Sequence, residues 1–341
     1  MIICYRKPNL YYLFLVSLPL DIFPDMNIQK VIATAIYVAR NCSMITGKSK
    51  MFHFFDFLSA YIIHGCSDNH YLNEGFYRLR SFDRRNTVTK RRKNQICKLF
   101  NDKKYISFFS NKVIFNETFS RFVGRNWIYT KKNTKEQVMS FIDSYDKIIV
   151  KPLNLNKGKG IYLLDKNEID VEAIMNEEVL LEEYINQHPD MCFGSKSVNS
   201  IRVITVLDRF AKVHILKAGL RCGVGEAIVD NFSAGGAFYP LNLKNGFVEG
   251  YGEVAGNYDY SGIHPGTDIM IIGRRIPHWK EVLQLVENAA NVIPQIRYVG
   301  WDVAVLPDRV ELIEGNDGPG CTLLECIGEE RGFYKRIMSY L

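Results

Sequence analysis

The stretch YVGWDVAVLPDRVELIEGN, residues 298–316, reads as two strands joined by a turn at Pro307, Asp308 and Arg309. With those three residues as the loop, Leu306 faces Val310 and Asp302 faces Glu314, their Cβ atoms roughly 4.5–5.5 Å apart. Asn316 lies two residues beyond Glu314 and points to the same face. Two opposed carboxylates repel each other, and a hard divalent cation reverses that cost. Two carboxylates and an amide carbonyl form an all-oxygen set suited to Mg²⁺ shared with phosphates. Asp302, Glu314 and Asn316 are therefore the candidate metal ligands. The competing reading is an exposed hairpin face with solvated acids, which the apolar flanks of both strands disfavour.

Upstream, SIRVITVL and KVHILKAGL alternate like an antiparallel pair around a turn at Asp208-Arg209. HWKEVLQLVENAANVI is an amphipathic helix with Val282, Leu285, Val286 and Ala289 as its core stripe, and Trp301 is expected to pack behind the acidic strand. KIIVKP is a short buried strand stopped by Pro152; GIYLLDK is its expected hairpin partner, and EVLLEEYI is a further strand. NKVIFNETFSRFVG reads as one helix ended by Gly124, and residues 27–110 as mainly helical. This mixture predicts an α+β fold in which antiparallel sheets carry the site.

The connection VKPLNLNKGKGIYLL, residues 150–164, is rich in glycine and lysine. It matches neither GxxxxGK[ST] nor GxGxxG, and its flanks are strands. What remains is a hairpin tip, Lys157, Gly158, Lys159 and Gly160, whose glycines would let backbone N–H groups approach an anion. A polar turn without a ligand is the alternative.

The 341 residues are 47% hydrophobic and 23% charged, the balance of a globular chain large enough for two or three subdomains. The eight cysteines show no CxxC pair and no zinc spacing, so reduced thiols in a cytoplasm are expected. Arg6 and Lys7 precede an apolar run, Leu10 to Leu20, that resembles an export signal. The run contains Ser17 and Pro19, lacks an A-x-A site and is too short to span a bilayer. A buried element, or a start at Met26, is the simpler expectation. The formal net charge of +6 is uneven, with eleven Lys and Arg between residues 78 and 104 against Asp83 and Asp102. Ile96, Leu99 and Phe100 at helical spacing favour a solvated helix face over nucleic acid, for which no recognition motif is present. Peripheral contact with an anionic membrane stays open.

Taken in order, NKVIFNETFS, IVKPLNLNKGKGIYLL, VLLEEYI, SVNSIRVITVL, VDNFSAGGAFYPLN, HPGTDIMIIGRRIPHW and VGWDVAVLPDRVELIEGNDGPG resemble the ATP-grasp superfamily, in its sugar-transfer-associated and alpha-L-glutamate-ligase-related branch. The resemblance runs from about residue 75 to 320. It implies two α+β subdomains clasping ATP, at 111–185 and 186–341, after a basic helical region, 1–110. It makes Lys112 and Lys151 nucleotide-binding lysines, Lys157 to Gly160 the loop over the phosphates, and Glu182, Glu183, Tyr184 and Ile185 the adenine-reading hinge. It assigns Asp302, Glu314 and Asn316 to Mg²⁺. In peptide-forming relatives, Arg202, Arg221, Asn231, Gly235 and Gly236 correspond to the elements that stabilise the reacting groups. Two departures stand out: no βαβ subdomain precedes Lys112, and no acid occupies the expected ribose position, where Asn199, Gln187 and His188 are rivals.

The implied chemistry is ATP-dependent joining of a small carboxylate and an amine through an acylphosphate, with ATP and Mg²⁺ as cofactors and a role in cell-surface polysaccharide synthesis. Planar guanidinium groups suit the developing oxyanions. A kinase that leaves the phosphate on a hydroxyl, and a non-catalytic nucleotide-binding protein, are the other readings. His264 is a candidate substrate contact or a loop-structuring residue. His278 and Trp279 are expected simply to open the helix after Pro277.

Overall fold

The computed structural model describes residues 27–153, 160–194, 197–225, 236–254, 257–325 and 332–341. The apolar run before Met26, the loop residues Lys157, Gly158 and Lys159, and Asn231 and Gly235 lie outside them. The chain divides into two compact units, Met1–Ser59 and Ala60–Leu341.

The first unit holds α1 (Ile28–Thr46) and α2 (Lys50–Ser59). Asn27 caps α1 by accepting from the Lys30 N–H, and Gly47 ends it in the left-handed conformation that glycine adopts without strain. The turn back is tied by Thr46 Oγ1 and His53 Nε2, 2.7 Å apart.

The second unit begins with short helices α3 (Asp68–Leu72) and α4 (Ser81–Asn86), then α5 (Lys90–Phe100), α6 (Ser107–Ser110) and α7 (Lys112–Thr118). A four-stranded antiparallel sheet follows, in the order β1 (Trp127–Tyr129), β4 (Val179–Glu183), β2 (Lys147–Pro152), β3 (Tyr162–Asp165), with α8 (Lys135–Asp143) and α9 (Val171–Asn176) on its apolar face. A seven-stranded antiparallel sheet has the order β11 (Val310–Asn316), β10 (Tyr298–Val305), β5 (Ser200–Leu207), β6 (Val213–Cys222), β7 (Ala237–Leu241), β8 (Gly252–Val254), β9 (Asn257–Ser261). Helix α10 (Trp279–Ala290), α11 (Thr322–Glu325) and α12 (Tyr334–Met338) complete the unit. The α+β expectation and the strand pairs read from sequence are the ones observed.

The seven-stranded sheet is covered on both faces. Trp301, Val303, Ile201, Val203, Ala218 and Leu220 belong to the core beneath α10, and Trp301 Nε1 donates to Thr205 Oγ1 at 2.9 Å. On the opposite face, Ile204, Val206 and Phe238 pack with Ile96 and Phe100 of α5 and with Leu323, Phe333 and Ile337. The basic helix thus roofs one end of the face that carries Asp302.

Three local readings change. The helix after Asn111 stops at Thr118, short of Gly124. Gly124 is required for close approach instead: a Cβ there would lie 2.7 Å from Glu311 Oε2. Leu99 is exposed, whereas Ile96 and Phe100 are buried. The β10–β11 turn is also tighter than expected, for Val305 pairs with Val310 and Leu306 N–H donates to the Arg309 carbonyl at 2.8 Å. A bulge at Ile313 then restores Asp302 opposite Glu314. Burial explains it. A regular ladder from a three-residue loop would turn Leu312 toward the acids and Glu311 into the core; with the bulge, Leu312 joins Val303 in the apolar core.

Candidate functional site

Glu182 is the centre of the small-sheet side. It is only 2% exposed and accepts from three donors: Arg125, with Nε to Oε2 at 2.6 Å and Nη2 to Oε1 at 3.2 Å, Asn116 Nδ2 at 3.0 Å, and Lys151 Nζ at 2.5 Å. Register explains the last contact: Lys151 pairs with Leu180, so Glu182 is its diagonal neighbour on the same face. Burial alone would raise the Glu182 carboxyl; Arg125 and Lys151 outweigh it and hold it well below the ordinary range. Arg125 continues across to the other sheet, reaching Glu311 Oε1 at 3.3 Å and the Leu312 and Ile313 carbonyls at 2.6 and 3.2 Å. Burial opposes its charge, yet Glu182 and Glu311 raise its pKa. Sequence reasoning missed Arg125, because its partners lie far along the chain and no local pattern announces them.

Asn111 caps α7 through the Val113 and Ile114 N–H groups and so places Lys112, whose Nζ donates to the Pro152 carbonyl at 2.9 Å. Burial, then the neighbouring Lys151, lowers the Lys112 pKa, while Glu314 and Glu182 oppose the shift. Lys151 is lowered by burial, with Glu182 and Glu314 acting the other way. The two expected phosphate-binding lysines are therefore neighbours, and both feel an acid of the large sheet.

On that sheet Asp302 lies beside Arg202 and opposite Glu314. Arg202 holds it bidentately through Nε to Oδ1 and Nη2 to Oδ2, and Arg221 Nη1 donates to Oδ2 at 2.6 Å. Burial would raise Asp302; Arg202 and Arg221 hold it far below the usual range instead. Glu314 behaves oppositely. Desolvation by the groups packed around it, then the adjacent Asp302, raises its pKa, although the residue keeps an exposed edge. Asn316 Nδ2 donates to Glu314 Oε1 at 3.1 Å, so both point to one face. Gly300, in the same register, keeps the face open: a Cβ there would come within 2.7 Å of Pro319 and 3.3 Å of the Arg202 side chain.

The structure thus gathers Lys112, Lys151 and Glu182 on one side, and Arg202, Arg221, Asp302, Glu314 and Asn316 on the other. Glu182, expected in the hinge, has its carboxylate engaged by the buried ion network. Glu183 accepts from the Asn126 backbone and side chain at 3.1 and 3.3 Å, and Glu183, Tyr184 and Ile185 border a cleft of about 180 Å³ against the hairpin tip. That is below the roughly 300 Å³ of a small-molecule pocket, so this cleft alone does not house a nucleotide. Gly160, the last residue of the expected phosphate loop, has φ +70°. Asn199, one ribose rival, is fully buried and binds the Gln187 side chain and the backbone of Met191 and Gly223, so it is structural. His264 is buried between Gly223 O and Thr267 Oγ1, the loop-structuring outcome.

Among the described residues no group of three or more His, Cys, Asp or Glu could hold a metal, so a cation at the expected position would rely on two carboxylates and an amide. Among the same residues no helix is long and apolar enough to cross a membrane.

Similarity to known proteins was found at the level of family and fold. A family model described as sugar-transfer associated ATP-grasp matches residues 171–339, and one described as the prokaryotic glutathione synthetase ATP-grasp domain matches residues 111–192. No curated protein matches the chain. Among solved structures, the ATP-grasp ligase PsnB, complexed with a phosphomimetic variant of its minimal precursor, Mg and ADP, is 13% identical with a TM-score of 0.45, over 71% of this chain and 62% of that one. N5-carboxyaminoimidazole synthetase from Staphylococcus aureus, complexed with ADP, is 13% identical with a TM-score of 0.44, over 67% and 51%. The chain spans less than two thirds of the length of either, and at that distance neither bears on its activity. The two family models overlap at 171–192 and together run from residue 111 to 339, and by them the chain belongs to the ATP-grasp superfamily.

Proposed function

We propose that the protein is an ATP-dependent ligase that joins a carboxylate to an amine, with one partner derived from a sugar or an amino acid. The observation that carries this reading is the arrangement of two phosphate-class lysines, Lys112 and Lys151, near a cross-strand acid pair held by two arginines. The donor set fits a hard cation. Arg202 and Arg221 place two N–H bonds on Asp302 Oδ2 and one on Oδ1, and the acceptor capacity that remains is shared with the neighbouring Glu314 carboxyl. Glu314 and Asn316 add two oxygens on the same face, and the like-charge crowding of Glu314 is what a divalent cation relieves.

When bound, Mg²⁺ would neutralise phosphate charge, and ATP would activate the carboxylate as an acylphosphate for attack by the amine. Lys112 and Lys151 would grip the phosphates, with Lys157, Gly158, Lys159 and Gly160 closing over them. The Glu183–Ile185 backbone would meet the adenine edge. Arg202 and Arg221 lie where charge develops, and the bidentate pair leaves Arg202 Nη1 without a partner among the described residues. Asn231 would join them. The sugar-transfer description of the matched family favours a role in cell-surface polysaccharide synthesis.

Incubating the chain with ATP, Mg²⁺ and mixtures of amino acids and sugar acids tests the proposal. Free phosphate released together with an amide is expected. ADP with a phosphorylated hydroxyl would make it a kinase, and no ADP with any mixture would remove the catalytic reading.

A further inference from the structure

Asn101 follows the last residue of the basic helix α5 and is 6% exposed. Its backbone bridges to Ile296, just before β10 begins. Its side-chain amide is bound three times. Nδ2 donates to the Tyr298 carbonyl at 2.8 Å and to the Asp317 carbonyl at 2.6 Å, and Oδ1 accepts from the Tyr298 N–H at 2.8 Å. One amide therefore grips the first residue of β10 and the residue just after Asn316. Between these anchors Gly300 pairs with Asn316, the last rung of the hairpin. Past that rung Asp317 has no ladder partner on β10, and its carbonyl is the one Asn101 holds. A primary amide has two donors and an acceptor in one plane, so it can bond both strands at once.

We infer that Asn101 is a positioning residue for the metal site: by holding the Asp317 carbonyl it fixes the backbone immediately after Asn316 and thereby the direction in which the Asn316 side chain meets a cation. The inference rests on the ligand assignment proposed above. It also gives the helical segment ahead of Lys112 a role, with α5 acting as a strut under the ligand-bearing hairpin. Groups that orient metal ligands typically change metal affinity by roughly 10–100-fold when removed.

The test is calorimetric titration of Mg²⁺ into the full-length chain saturated with ADP, with ADP affinity in EDTA measured alongside. For Asn101→Ala, Mg²⁺ affinity is expected to fall about tenfold or more, with ADP affinity in EDTA unchanged. Asn101→Asp keeps the shape and the acceptor for Tyr298 N–H but turns lone pairs toward two carbonyls, so it should fail in the same way. Should Asn101→Ala not fold, Asn101→Ser, whose hydroxyl can serve one carbonyl, carries the same comparison. A folded variant that unfolds at a lower temperature yet binds Mg²⁺ within twofold of the parent would overturn the inference and leave Asn101 a purely structural clamp. A parent chain without Mg²⁺ binding that Glu314→Gln removes would instead sink the ligand assignment, and this inference with it.

Discussion

Glu182 and Glu314 are two glutamates within electrostatic reach of the same lysines, one from each sheet, and their carboxyl groups shift in opposite directions. Glu182 is enclosed by Arg125, Lys151 and Asn116. Glu314 meets an amide and a neighbouring carboxylate, while the arginines beside it bond to Asp302. Full matching makes the first a structural joint between sheets. Incomplete matching among the described residues suits the second to the cation proposed above. A buried acid with all its partners is evidence about folding, whereas an acid facing another acid is evidence about binding.

Replacing Arg125 with Met probes the joint most severely, because it takes the shared buried cation from Glu182 and Glu311 and leaves only Lys151 and Asn116 on the first and Arg309 on the second. Breaking a buried pair from one side costs about 3–5 kcal/mol, so denaturant unfolding should show a loss of that size. A loss below about 1 kcal/mol, the scale of an exposed pair, would remove the distinction between the two acids.

Glu314→Gln should do the reverse. ADP production should fall by about 10²–10³ while the unfolding temperature stays equal or rises, since a crowded charge has gone. Near-normal turnover at limiting Mg²⁺ would show that Glu314 is not a ligand.

A third glutamate sharpens the contrast. Glu325 accepts from the Val88, Gly332 and Phe333 N–H groups, yet burial lifts its pKa to about 7. Backbone donors alone thus do not do for Glu325 what two cations do for Glu182. With the folded pKa above the ordinary 4.5, the folded chain holds the extra proton, and stability declines as pH rises from about 4.5 to 7. Thermal unfolding across that range should show the decline, by up to roughly 3 kcal/mol, and Glu325→Gln should flatten it. An equally steep slope in the variant would assign the effect to other acids. Glu182 has the opposite sign, and its contribution is lost only as pH falls through a folded pKa far below 4.5.

The smallest expected effect separates cations on the two sheets. Lys151→Met leaves Arg125 on Glu182 and should weaken a non-hydrolysable ATP analogue about tenfold, roughly 1.4 kcal/mol. Arg221→Met leaves Arg202 on Asp302 and should mainly lower turnover. Weaker analogue binding in Arg221→Met, with turnover preserved at saturating ATP, would move that arginine to the nucleotide pocket.

Sequence made the strands and their partners legible because period-two alternation survives in SIRVITVL and KVHILKAGL. It paired Asp302 with Glu314 by a route the structure revises, since a bulge leaves no mark in hydropathy. Arg125 was invisible for a different reason: its ion pairs join residues 125, 182 and 311, and periodicity reports only neighbours. Leu99 misled because helical spacing names a stripe without saying where the stripe ends. The role of α5 was likewise hidden in a run of charge. Arg84 and Arg92 are tied to backbone carbonyls, and Asn101 looks like any polar residue after a helix.

The bulge at Ile313 has a consequence for how this hairpin can change length. Glu311 and Glu314 are three residues apart, an odd interval, and an unbroken strand would send them to opposite faces. The surplus residue makes the interval even in effect, so Arg125 reaches one glutamate and Asp302 the other from the same side. Losing one residue between Asp308 and Ile313 would reverse the parity and exchange Leu312 with Glu311. Single insertions or deletions there would be felt in the sheet joint and the core at once, so substitution is the route by which this segment can vary.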